Sequence, residues 1–192
     1  GSPCQSFSMV GKRGGFEDTR GTLFYDFARL VNEIRPKVFI YENVKGVLSH
    51  DGGNTWTIMQ NVFSDLGYKW SYQILNSKNY GIPQNRERLF VVGFLDQTVE
   101  FEFPAPQVLT KKMQDFLLDN TPEKYYLGDK GIDFVTSTKN LNKQYTQING
   151  SIGLCQKANQ QFNWHGDFIF EELPKPIEEK YFLSEKLVNY VM

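Results

Sequence analysis

The sequence predicts an α/β fold, with a second, smaller and irregular β-rich region after about residue 107. Three observations predict it. A strand, helix, strand, strand order with short connections can be read between residues 37 and 94, preceded by a helix. The last of those strands is apolar enough for burial on both sheet faces. After Phe103-Pro104-Ala105-Pro106 the texture becomes amide-rich and loses clean periodicity, which sets a boundary near residue 107 and gives regions 1–106 and 107–192.

Thr22 to Ile34, "TLFYDFARLVNEI", sets Leu23, Phe27, Leu30, Val31 and Ile34 at helical spacing, and Arg35-Pro36 stops the helix because the residue before proline is pushed out of the helical region. "KVFIYE" (37–42) is a short β-rich run that turns at Asn43-Val44-Lys45-Gly46. Asn54 to Leu66 reads as a second amphipathic helix capped by Gly67. "SYQIL" (71–75) and "RLFVVGF" (88–94) read as strands. Glu123–Thr136 is echoed by Glu179–Met192 with six identities in fourteen positions, an echo that either duplication or chance produces.

A hydrophobic content of 40% with 29 aromatic residues supports a substantial core and excludes a dominantly disordered chain. No apolar run approaches the roughly 20 residues of a membrane-spanning helix, and no signal segment opens the sequence, so the expectation is a cytoplasmic protein. Two cysteines and two histidines, Cys4, Cys155, His50 and His165, do not supply a zinc site of usual spacing, so no metal is expected. The net charge of −1 argues against a nonspecific polycation and leaves a local phosphate-binding face open.

Three short segments stand out: Pro3-Cys4-Gln5, Glu42-Asn43-Val44 at a strand end, and Gln84-Asn85-Arg86-Glu87-Arg88 leading into another strand. Singly, Cys4 reads as a buried thiol, Glu42 as a turn cap and 84–88 as a solvated charged connection. Together, in this order and at these spacings, they resemble the fourth, sixth and eighth blocks of the cytosine carbon-5 DNA methyltransferase family, which read Pro-Cys-Gln, Glu-Asn-Val and Gln-x-Arg-x-Arg. The resemblance extends through "GKRGGFEDTRGTLFYDFARLV" and "NYGIPQNRERLF" and covers residues 1–106 closely, the remainder loosely. Compact spacing between blocks points to the bacterial restriction-modification type, acting on nucleoid DNA.

The chemistry of that family asks for these residue types. Carbon 5 of cytosine is a poor nucleophile until a thiolate adds at carbon 6 while ring nitrogen N3 is protonated or strongly hydrogen-bonded, after which carbon 5 behaves as an enamine carbon. Cys4 fits the first role and Glu42 the second, and a carboxyl offering a proton at neutral pH needs a raised pKa, which burial would supply. Arg86 and Arg88 bring fixed positive charge for the target nucleotide and for the thiolate. The base must leave the duplex to reach them, at a cost of a few kcal/mol.

The resemblance implies more. Pro3, Gln5, Ser8, Val44 and Gln84 are expected at the substrate, with Gln5 and Ser8 filling the space the base vacates, Arg20 on phosphate and Asn43 shaping the cytosine pocket. Ser6 to Arg20 corresponds to a loop that closes over DNA, although its glycines equally make ordinary turns. Lys139 to His165 holds ten Asn or Gln residues, three lysines and no acid, interleaved with Tyr145, Phe162 and Trp164, a pattern suited to reading base edges and to the family's target-recognition domain, or to an amide-rich surface loop.

The fold so implied is a partial Rossmann-like methyltransferase sheet followed by a target-recognition domain, with double-stranded DNA as partner. The methyl donor, S-adenosyl-L-methionine, is bound in the family mainly by blocks that precede Pro-Cys-Gln, and the ninth and tenth blocks follow the recognition region. Neither set is recognisable in these 192 residues. The expectation is therefore a piece with little turnover alone, whose open sheet edges invite self-association or a complementary methyltransferase half. Two alternatives stay open: a non-catalytic DNA-binding or regulatory piece of the same fold, and a tRNA cytosine methyltransferase.

Overall fold

The computed structural model describes residues 23–119, 121–156, 164–171 and 188–191. The chain divides into two units, Gly1–Asn76 with Glu87–Pro106, and Ser77–Arg86 with Gln107–Met192. The stretch Ser77–Arg86 thus goes with the later part of the chain although it lies within the first 106 residues.

The first unit holds helix α1 (Leu23–Ile34), strand β1 (Val38–Val44), a 3-10 stretch (Lys45–Gly53), helix α2 (Asn54–Asp65) and strands β2 (Lys69–Asn76) and β3 (Glu87–Phe94). The sheet order is β1-β3-β2, and both pairings are antiparallel. Consequently β1 and β2 run the same way on either side of β3. The chain thus returns between the parallel pair, a mixed α/β arrangement.

Alternation along β1 directs Phe39 and Tyr41 into the core and turns Val38, Ile40 and Glu42 to the other face. Both helices cover the first face: Phe24, Ala28 and Val31 of α1 and Trp56, Met59 and Phe63 of α2 pack with Phe39, Tyr41, Leu89 and Val91. Phe63 lies at the centre, its ring 5.5 Å from Phe24, 5.8 Å from Phe39, 5.6 Å from Tyr41 and 5.7 Å from Trp70. The central strand β3 is buried on both faces, as its apolar run predicts, with Leu89 and Val91 on the helix side and Val92 on the other.

Helix α1 differs from its predicted face. Phe24, Ala28 and Val31 are buried, Phe27 is half-buried, and Leu23, Leu30 and Ile34 are exposed. The helix carries two adjacent apolar stripes, and the described residues cover one of them. Its end is fastened to α2: Arg35 takes a left-handed φ of 51°, its guanidinium donates to the Leu66 carbonyl at 2.7 Å, and it lies over the Tyr68 ring. That places a cation at the negative end of α2, where Gly67, with φ of 74°, makes the predicted cap.

The second unit holds helices α3 (Asp129–Thr136) and α4 (Thr138–Asn142) and strands β4 (Thr146–Ile148), β5 (Gly166–Glu171) and β6 (Val188–Val191). Strand β5 is central, parallel to β4 and antiparallel to β6. The sequence echo does not repeat in structure. Ile132–Val135 is helical, whereas its counterpart Val188–Val191 is a strand, so tertiary pairing overrides the shared local pattern.

Gly93 sits opposite Phe39 in the β1–β3 register, and a Cβ built there would overlap the Phe39 ring. Gly93→Ala is expected to destabilise the first unit by about 1–3 kcal/mol, because the ring cannot move without disturbing Phe27, Phe63 and Tyr68. Chemical denaturation followed by tryptophan fluorescence checks this, and an unchanged midpoint would refute it.

Candidate functional site

At the carboxyl end of β1, two predicted site residues meet. Glu42 lies opposite Phe90 and Val44 opposite Arg88, so Glu42 and Arg88 share one face of the sheet two positions apart across the strands. Arg88 Nε stands 3.2 Å from Glu42 Oε1. The Arg88 side chain is only 16% exposed and the Glu42 side chain 43% exposed. The expectation that burial surrounds Glu42 is not met by the described residues, because Glu42 lies on the face that the helices leave open. Arg88 is further held by donating to the Glu87 carbonyl at 2.8 Å, and Glu87 pairs with Lys45 at 3.0 Å.

Asn43 points the other way, into the core, at 1% exposure. Its amide donates to the Tyr41 hydroxyl at 2.6 Å, and its oxygen accepts from the Val44 backbone N–H at 2.8 Å. Both bonds shape the turn that ends β1. Pro3, Cys4, Gln5, Ser8 and Arg20 lie outside the described residues.

Gln84 and Arg86 belong to the second unit. The stretch Ser77–Arg86 begins as a 3-10 turn (Ser77–Tyr80) and closes on itself through Ser77 N–H donating to the Arg86 carbonyl at 3.2 Å. Gln84 forms a parallel bridge with Gly153. Gly153 N–H donates to the Pro83 carbonyl and Asn85 N–H to the Gly153 carbonyl, both at 2.8 Å. Arg86 Nη1 reaches Cys155 Sγ at 3.6 Å. Cys155 is half-buried and engaged with a predicted site residue.

Asp167 anchors the same loop. It is 3% exposed and accepts from Leu154 N–H at 2.8 Å and from Gln147 Nε2 at 2.9 Å. Burial pushes its carboxyl pKa up, against the smaller opposing pull of the Leu154 and Gln147 donors. Gln147 also donates to the Ile152 carbonyl at 2.7 Å, and a Cβ at Gly150 would overlap its amide, so only glycine lets this side chain cross the loop.

The amide-rich segment therefore divides by geometry. Asn140, Gln147 and Asn149 bond the fold's own backbone: Asn140 donates to the Phe134 carbonyl at 2.8 Å, and Asn149 accepts from Phe170 N–H at 2.9 Å. Asn142, Gln144 and Gln156 are exposed. Gln144 and Gln147 line a cleft of about 440 Å³ together with Lys78, Asn85 and Thr146, over an apolar floor that includes Leu141 and Ile152. Of the aromatics that the sequence offered to bases, Tyr145 and Trp164 are exposed, and they pack edgewise or stacked with neighbours: Tyr145 lies 4.7 Å from His165 and Trp164 5.8 Å from Phe134, while Phe162 lies outside the described residues. His50 is tied to Thr55 at 2.7 Å. Sequence reading missed Lys78, Asn85, Gly153 and Asp167. Asp167 carried a faint signal, an acid directly after the acid-free segment.

A family profile described as C-5 cytosine-specific DNA methylase matches residues 1–181. The Type II methyltransferase M.HhaI of Haemophilus parahaemolyticus is 41% identical over 162 residues, covering 83% of this chain and 49% of its own length. M.HpaII of Haemophilus parainfluenzae is 46% identical over 155 residues, covering 78% and 43%. The orphan methyltransferase M.SPRI of Bacillus phage SPR is 38% identical over 179 residues, covering 76% and 41%. The chain thus spans about half the length of these relatives, or somewhat less. Among solved structures, the Entamoeba histolytica methyltransferase EhMeth superposes with a TM-score of 0.64 at 17% identity, over 98% of this chain and 59% of its own, a likeness of fold.

The direction of the Asp167 shift sets a pH dependence. A raised carboxyl pKa means that the folded state holds the proton more tightly than the unfolded chain, so this contribution to stability is complete below the ordinary value of 3.8 and is lost as pH rises through the raised value. Thermal melts across the acid range are expected to show the stability of the parent relative to Asp167→Asn falling as pH increases. A relative stability that climbs with pH would contradict the assignment.

Proposed function

The chain belongs to the C-5 cytosine-specific DNA methylase family, and we propose that it is the catalytic and target-recognition part of a restriction-modification DNA methyltransferase acting on cytosine in a specific duplex site. The observation that carries this reading is the Arg88–Glu42 pair, which brings two widely separated motif residues into contact at a strand end. In this reading Cys4 is the nucleophile that adds to carbon 6 of an extruded cytosine, and Glu42 holds N3 while charge enters the ring. Arg88 orients the Glu42 carboxylate, Arg86 meets the target nucleotide, Pro3, Gln5, Ser8, Arg20, Val44 and Gln84 complete the substrate contacts, and Asn43 shapes the pocket from the core side by holding the end of β1. Exposed Asn142 and Gln144 and the Lys78–Gln147 cleft form the face offered to DNA.

The residues described do not fit the main site of S-adenosyl-L-methionine. A Gly-Gly pair opens α2, yet it follows a 3-10 stretch rather than a strand, unlike a nucleotide-type glycine turn. When bound, the donor supplies the methyl group, and its binding falls to other parts of the fold. A complementary methyltransferase half is the partner we assign. Its seat is the apolar stripe of α1 that the described residues leave exposed, where Ile34 is 70% exposed. The protein works where DNA is, in the bacterial cytoplasm.

Mass spectrometry of the chain with a 5-fluorocytosine duplex, donor and the complementary half is expected to find a covalent adduct on Cys4, absent in Cys4→Ser. Glu42→Gln is expected to lower methyl transfer by about 10²- to 10⁴-fold, the range for loss of a positioned acid–base group. Adduct formation undiminished in Cys4→Ser would remove the nucleophile assignment and this reading with it.

A further inference from the structure

Resting on the role just proposed for Arg86, we propose that Cys155 and Gly153 are positioning residues for that arginine, so that the loop of the recognition segment and the target-binding arginine form one hydrogen-bonded assembly. The stretch Ser77–Arg86 has no strand of its own, and its carboxyl end is braced from the 150–155 loop at three successive points. These are the Pro83 carbonyl, the Asn85 N–H and the Arg86 guanidinium, bound by Gly153 N–H, the Gly153 carbonyl and Cys155 Sγ.

The loop giving these contacts is itself fixed. Leu154, between the two residues, is held by the buried Asp167 carboxylate. Ser151 accepts from Met113 N–H at 2.8 Å through its carbonyl, and the Gly150 carbonyl accepts from Gln114 Nε2 at 2.8 Å. A Cβ on Gly153 would crowd Met113 Sδ at 3.2 Å and would meet Asp167 Oδ2 and the Pro83 carbonyl at contact distance, 3.5 Å, so the loop packs directly on the 83–86 stretch. An arginine side chain has many rotamers, and a sulfur acceptor on a rigid loop selects among them before the nucleotide arrives. Gln147 and Asn85 line the same cleft, so the amide face and the backbone that carries Arg86 border one space.

The test uses methylation of duplex DNA with the complementary half present. In Cys155→Ala, kcat is expected to fall about fivefold, the size of one lost hydrogen bond, with the KM for DNA and the melting temperature unchanged. Cys155→Ser, which keeps an acceptor, restores kcat, and in an Arg86→Lys background Cys155→Ala adds no further loss. Undiminished kcat in Cys155→Ala while Arg86→Ala is inactive overturns the positioning inference, as does an equal loss in the Arg86→Lys background. Full activity in Arg86→Ala would instead remove the role of Arg86 on which the inference rests.

Discussion

The register of β3 against β1 is the constraint from which the first unit follows. Pairing Val44 with Arg88 and Glu42 with Phe90 puts acid and arginine on one face, and the same register sets Phe39 over Gly93 on the other. A slip of one residue would exchange the two faces, driving Glu42 toward Phe63 and Phe39 toward solvent. The apolar packing of two helices on one face therefore holds a polar pair on the opposite face. Core and site are two readouts of a single alignment.

A comparable economy governs the second unit. Asp167 is an ionisable group with almost no access to water, which costs free energy unless its oxygens are satisfied. Gln147 and Leu154 satisfy them, and in doing so they fold the loop that carries Gly153 and Cys155. The amides of this region thus serve two purposes. Those whose side chains reach backbone groups or Asp167 build the loop, and those left exposed, such as Gln144, are available to a partner.

Membership of the DNA methylase family and coverage of about half of its relatives' length give meaning to features that look incomplete in isolation. Among the described residues, Leu30 and Ile34 of α1 and Ile40 of β1 stand exposed as large apolar side chains. The two-unit division also gives meaning to the excursion Ser77–Arg86, which is grouped with the second unit and braced there by the Gly153 backbone.

Most elements of the first unit were legible in the sequence, within two residues at each described end, because alternation and helical spacing are local properties. The motif segments could be picked out for a related reason: Pro3-Cys4-Gln5, Glu42-Asn43-Val44 and Gln84–Arg88 are short local strings that resemble family blocks, and the roles proposed for them rest on that resemblance. The stripe of α1 that would be buried was not legible, since Leu23 and Leu30 are as apolar as Phe24 and Val31, and only the sheet's position distinguishes them. Nor could Arg86 and Arg88 be told apart. They lie two positions apart, yet Arg88 stands on β3 and pairs with Glu42, while Arg86 falls before the strand and meets Cys155, 69 residues away. By itself the sequence determined which chemical groups and local elements the chain possesses; tertiary structure decided their partners, because strand register and loop bracing are set by contacts between residues far apart along the chain.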